Sequence, residues 1–169
     1  RIDRNLIGNA VTYNQSNGVY TYQPRNINGN WTGSVSNGFS MALDKDRLWN
    51  LENNASFNFN RNVDFVTLAG SADYQISKVN NIYVTDGLKL TMQKNKFRAA
   101  LLGNMEWHNS VSLSNNFSTM NVFDFNYGMT ATYVLPLNIG ISTDLKMYSR
   151  RGYSESAANN NYLIWNMSL

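Results

Sequence analysis

VFDFNYGMTATYVL, residues 122 to 135, alternates side-chain character over fourteen positions. In an extended chain Phe123, Phe125, Tyr127, Met129, Ala131, Tyr133 and Leu135 share one face, and Val122, Asp124, Asn126, Gly128, Thr130, Thr132 and Val134 share the other. One face is apolar and the other mostly polar. At about 3.3 Å per residue the stretch reaches about 46 Å, more than twice a strand of the usual five or six residues. A strand of that length crosses a bilayer.

The same alternation repeats on both sides of it. Trp31, Gly33, Val35, Asn37, Phe39, Met41 and Leu43 lead to a polar turn at Asp44-Lys45-Asp46. The returning strand sets Trp49, Leu51, Ala55, Phe57 and Phe59 against Asn50, Glu52, Asn54, Ser56, Asn58 and Asn60. Residues 62 to 80 are expected to be a long loop, because Val63 to Ala69 lacks clean alternation and Gly70-Ser71 and Lys78 to Asn81 are polar. Ile82, Val84, Leu88, Leu90 and Met92 then form an apolar face ending at Lys94-Asn95-Lys96, and Phe97, Ala99, Leu101, Gly103, Met105 and Trp107 return. A second loop is expected around Leu113 to Asn121. After the 122–135 strand come a turn at Pro136, a strand with Ile139, Ile141, Leu145 and Met147 on one face, a third loop from Arg150 to Asn161, and a seventh strand from Leu163.

Residues 1–30 are expected to be an irregular lead-in with a small hairpin: Val11 to Asn14 pairs with Val19 to Gln23 across Gln15-Ser16-Asn17-Gly18, and Pro24 ends it. The fold expected for residues 31–169 is all-β, an antiparallel up-and-down meander forming part of a transmembrane β-barrel, with about seven long strands. Short turns alternate with long loops, as in outer-membrane barrels, where turns are periplasmic and loops extracellular; loops Asp64 to Asn80 and Arg150 to Asn161 are accordingly expected outside the cell. Alternation also fits a soluble lipocalin-like barrel with its apolar face inward. Aromatic spacing favours the membrane. Phe97 and Trp107, Phe123 and Tyr133, and Trp49 and Phe59 each stand ten residues apart on one face, about 25 Å of height for strands tilted near 40°, which is the separation of the two aromatic girdles.

Composition agrees with a half-wet sheet. Charged residues are 15% of the 169, against about 25% in a typical soluble domain, and 28 asparagines fill much of the polar share. Mean hydropathy of −0.40 does not oppose a membrane barrel, whose alternating strands average low. The net charge of +3 comes from scattered cations with no run beyond Arg150-Arg151, which excludes a nucleic-acid footprint. No stretch approaches 18 apolar residues, so transmembrane helices are excluded. The sequence opens at Arg1 in mid-pattern without a signal peptide, and seven strands make an odd, unclosed sheet, so an excerpt of a larger barrel is expected.

Several segments carry a family likeness. Asn121 to Gly128, Leu135 to Asn138, Ser142 to Tyr153 and Leu163 to Asn166 resemble late barrel strands of outer-membrane β-barrel proteins related to TonB-dependent receptors, of the kind abundant in Bacteroidetes. Asn26 to Trp31 is similar to the lead-in to a strand of the same family. The resemblance covers about residues 9 to 169 and implies outer-membrane location, a barrel with an amino-terminal plug, and ligand uptake energised through TonB. Its implied partners are outer-membrane lipid, the remainder of the barrel, the plug and TonB. The ligand is not specified, and no functional residue carries over because the matching residues build strands. Two alternatives stay open: a small self-contained outer-membrane pore or structural barrel, and a soluble ligand-binding barrel.

No enzyme, cofactor or metal is expected. Cysteine is absent, and the sole histidine, His108, shares a strand face with Glu106 at i and i+2 but lacks a third ligand or an orienting partner. A water-facing histidine is the reading adopted. Asp124, Asp144, Lys146, Arg98 and Glu106 form either a lumenal charge network that tunes selectivity or a solvated polar lining. Asn30-Trp31-Thr32 and Asn116-Phe117-Ser118 match the glycosylation pattern by chance in so asparagine-rich a chain.

Overall fold

A computed structural model describes residues 1–67, 71–114 and 118–169. Ten strands account for most of them: β1 (Ile2–Asp3), β2 (Leu6–Asn14), β3 (Val19–Ile27), β4 (Asn30–Ala42), β5 (Trp49–Val66), β6 (Gln75–Lys94), β7 (Phe97–Ser112), β8 (Met120–Val134), β9 (Gly140–Arg151) and β10 (Asn161–Ser168). Two single-turn 3-10 segments, Pro136–Asn138 and Ser156–Ala158, are the helical content among the described residues. Hydrogen bonding orders one sheet as β1-β4-β5-β6-β7-β8-β9-β10, and β2 pairs with β3 separately. The all-β antiparallel meander expected from the alternation is what the chain forms, with seven long strands and an amino-terminal hairpin.

The turns form where local chemistry demands them. Between β4 and β5 the Asp44 carboxylate accepts from the backbone N–H groups of Leu48 and Trp49 at 3.1 and 2.8 Å, and Arg47 takes φ 55°. Asn95, with φ 50°, opens the two-residue connection of β6 to β7, using the left-handed region that asparagine tolerates. Pro136 starts the β8–β9 turn, which Leu137 and Asn138 complete at φ 66° and 61°.

Two expected loops are shorter than hydropathy suggested. β5 runs to Val66 and β6 starts at Gln75, so residues 62–66 and 75–80 of the expected 62–80 loop are strand. Here both faces carry polar side chains that bond across the strands. Arg61 Nε donates to Asn80 Oδ1 at 2.9 Å, and Asn81 Nδ2 to Asn60 Oδ1 at 2.9 Å. Arg61, Lys78 and Asn80 interrupt the apolar alternation while the ladder continues. Of the second expected loop, Met120 and Asn121 belong to β8. Parts of both expected loops, 68–70 and 115–117, lie outside the described residues, as does most of the Asn116-Phe117-Ser118 match. The third runs 152–160 between β9 and β10.

The lead-in is likewise more ordered than expected. β2 and β3 pair over nine residues, from Leu6↔Ile27 to Asn14↔Val19, and Pro24 sits inside β3 opposite Asn9 rather than ending it. A two-stranded pair has free edges, where a missing N–H costs no ladder bond.

Contacts divide the chain into two compact units. The first comprises 1–34, 58–82 and 109–120. Its buried apolar residues are Ala10, Ile27 and Val63, and Trp31 stacks on Phe59 with ring centroids 4.3 Å apart. Thr67 donates to the Val11 carbonyl at 2.6 Å, and the Tyr13 N–H to the Ala72 carbonyl at 2.9 Å. The second unit comprises 35–57, 83–108 and 121–169. Its register is set by pairs such as Tyr127↔Met147 and Leu145↔Trp165, with Ala100 and Val122 buried. Large apolar side chains cover one of its faces and stay exposed, Trp165 to 69% and Leu101 to 57%.

Candidate functional site

The site is on the opposite, polar face of the second unit. Strand pairing alone assembles it. Asp124, Asn126 and Gly128 of β8 stand opposite Arg150, Tyr148 and Lys146 of β9, and Tyr148 stands opposite Tyr162 of β10. Except for Gly128, these residues line a cavity of about 810 Å³ together with Glu52, Lys89, Asn104 and Glu106.

An uncharged row crosses the unit at mid-height. A Cβ on Gly38 of β4 would sit 2.7 Å from Asn54 Oδ1, and one on Gly87 of β6 would sit 2.9 Å from Asn104 Oδ1. Each glycine therefore leaves the space in which its neighbour's carboxamide lies flat. Asn104 Nδ2 donates to Asn126 Oδ1 at 3.0 Å. Asn126 is in register with Tyr148, whose ring stacks on Tyr162 at 5.0 Å and 8° between planes. The row thus offers amide donors and acceptors at one side and aromatic faces at the other.

Charges flank it. Lys89 Nζ and Glu52 Oε2 are 3.5 Å apart, as are Arg150 Nε and Asp124 Oδ1. Tyr153 donates its hydroxyl proton to Asp124 Oδ2 at 2.6 Å, and the Arg150 guanidinium lies 4.4 Å from the centre of the Tyr153 ring. Gly152, at φ +82°, turns the chain tightly against the Asn121 carbonyl so that Tyr153 can reach back. The Asn159 side chain then closes the loop, accepting from the Tyr153 N–H at 2.9 Å and donating to its carbonyl at 2.7 Å.

Of the residues singled out from sequence, Asp124, Lys146 and Glu106 meet at this cavity. Asp144 instead accepts from Asn166 Nδ2 at 3.1 Å, and Arg98 is exposed near the β6–β7 turn. The five therefore do not join into one network. His108 departs from the water-facing expectation. It is half-buried, stacked on Tyr83 at 4.0 Å, and its Nε2 is buried without a hydrogen-bond partner among the described residues. The Tyr83 ring from the adjacent strand takes the place of water. Glu106 does not bond to it.

Arg150, Tyr148, Tyr153 and Tyr162 were not legible as site residues. Ending the strand at Tyr148 assigns Arg150 to a loop, although Lys146, Tyr148 and Arg150 have the i, i+2, i+4 spacing of one strand face. Among the described residues no three His, Cys, Asp or Glu side chains converge as metal ligands. The arrangement offers charged, amide and aromatic groups to a polar solute. No protein-family model, curated protein or solved structure matches the chain.

Proposed function

We propose that this chain is a wall of an outer-membrane β-barrel, its apolar face in lipid and its polar face on an aqueous lumen. The observation that carries the reading is the division of side chains across β8, β9 and β10. Met129↔Leu145, Leu145↔Trp165 and Met147↔Leu163 fall on one face, and Asp124↔Arg150, Asn126↔Tyr148 and Asp144↔Asn166 on the other. In water an exposed face this apolar is a liability; in lipid it is a requirement. Backbone groups along β8 and β9, each paired on both sides, are satisfied by their neighbours, the condition for crossing hydrocarbon.

The finer reading, the barrel wall of a TonB-dependent receptor-like importer, draws its support from the strand resemblance. A self-contained barrel fits less well. β10 has β9 as its one neighbour, and β4 meets on its far side the two residues of β1. Edges left so in lipid would strand unpaired N–H and C=O groups, so in this reading further strands cover them and a plug fills the lumen.

The natural absence of cysteine makes the test clean. Single cysteines at Ser71, Glu155, Lys45 and Asn95 are exposed to a membrane-impermeant maleimide on intact cells. Labelling at 71 and 155 but not at 45 and 95 is expected. The reverse pattern inverts the topology, and labelling at all four removes the membrane reading.

A further inference from the structure

We propose that the polar-face cavity is a site for a short zwitterionic peptide, its carboxylate held by Lys146 and Arg150 and its ammonium by Glu106. The proposal rests on this face being the water-filled side of the sheet. The cavity is lined by both signs, Glu52, Asp86, Glu106 and Asp124 against Lys89, Lys146 and Arg150, and charges of both signs that stand apart in space complement a dipole.

That separation is built into the strands. Lys146 and Arg150 lie on the same face of β9, and the next strand brings Tyr162, Ile164 and Asn166 to that face, none of them charged. Arg150 meets Asp124 through Nε at 3.5 Å, longer than a hydrogen bond. The guanidinium lies over the Tyr153 ring, 4.4 Å from its centre, and a second carboxylate that reaches its Nη edge meets the forked geometry that arginine favours. Lys146 and Glu106 form no ion pair among the described residues.

The position of Glu106 follows from pairing. Asn104 bonds to Asn126, so two residues further along antiparallel strands Glu106 comes beside Asp124, which is itself opposite Arg150. Glu106 and Arg150 are therefore two strand spacings apart, about 10 Å. An extended tripeptide spans that distance at about 3.4 Å per residue. Asp124 lies on the line between the two poles, and Asn104 and Asn126, two residues along the strands, run beside it and supply neutral donors and acceptors.

The test uses the full chain in detergent micelles and four probes, compared by titration calorimetry: tri-alanine, N-acetyl-tri-alanine, tri-alanine amide and the doubly blocked peptide. Tri-alanine is expected to bind at least tenfold more tightly than either singly blocked form. Glu106→Gln should erase the preference over the acetylated peptide alone, and Lys146→Gln and Arg150→Gln the preference over the amide alone. Arg150 also packs on Tyr153, so if Arg150→Gln does not fold, Lys146→Gln carries that arm. Equal binding of all four peptides, binding of none, or variants that lower all affinities alike would overturn the proposal. Lipid quenching of the tryptophans separates the two failures: if the indoles meet lipid while blocked and free peptides bind equally, the dipolar site is wrong and the barrel reading stands.

Discussion

Asn53 donates from Nδ2 to Asp86 Oδ1 at 2.7 Å and to the Gly87 carbonyl at 3.2 Å. These two side chains occupy the gaps in the apolar faces of β5 and β6: Leu51 and Ala55 flank one, Val84 and Leu88 the other. Each gap is filled by the other's partner. A carboxylate on such a face is costly without a donor, so Asn53→Leu should destabilise by about 1–3 kcal/mol. Asn53→Leu combined with Asp86→Leu should recover most of it. Urea unfolding of the single and double variants in micelles checks this, and additive losses would show that the pair does not act as a unit.

Gly128 offers a steric test of the β8–β9 register. A Cβ there would run into the Leu145 carbonyl and come within 2.9 Å of Lys146 Cγ. Gly128→Ala should cost about 1–3 kcal/mol, as overpacking against backbone does. Gly103→Ala is the control, since its nearest atom would be 4.0 Å away. Equal stability of the two variants would contradict the register.

In the first unit, Asn81 accepts from Ser110 Oγ at 2.7 Å and donates to Asn60 at 2.9 Å while only 8% exposed. Asn81→Ala removes both bonds and leaves the partners unmatched, at a cost of about 1–3 kcal/mol. Hydrogen exchange should speed up locally across residues 58–62, 79–83 and 108–112. Unchanged protection would mean that the side-chain chain does not hold these strand extensions.

The fold was legible because hydropathy of period two survives in most strands, and it blurred where polar residues interrupt the apolar face. Residues 62–66 and 75–80 looked like loop because Arg61 interrupts the apolar face of β5 and Lys78 and Asn80 that of β6, although Arg61, Asn80 and Asn81 bond across the strands. Pro24 looked like a terminator because its place on a free edge depends on the β2–β3 pairing. The site was legible only in part. Asp124, Glu106 and Lys146 could be put on the polar face, but the row from Gly38 to Tyr162 exists through cross-strand register, which one sequence does not state.

The Tyr153 hydroxyl bond to Asp124, at 2.6 Å, is expected to hold the 152–160 loop. Tyr153→Phe should raise proteolytic cleavage within residues 153–160 several-fold while leaving global unfolding within about 1 kcal/mol, the usual net worth of a partly exposed hydrogen bond. Cleavage unchanged from the parent would assign the loop's order to Asn159 alone.

The central claim, that the apolar face meets lipid, is tested most directly by the native fluorophores. Trp31, Trp49, Trp107 and Trp165 are the four tryptophans of the chain; by alternation Trp49, Trp107 and Trp165 belong to the apolar face of the second unit, and Trp31 to the apolar side of its own strand in the first. With the chain inserted in bilayers of brominated phosphatidylcholine, the account predicts strong quenching of tryptophan emission and little effect of aqueous iodide. Emission that iodide quenches and brominated acyl chains leave untouched would place those indoles in water and contradict it.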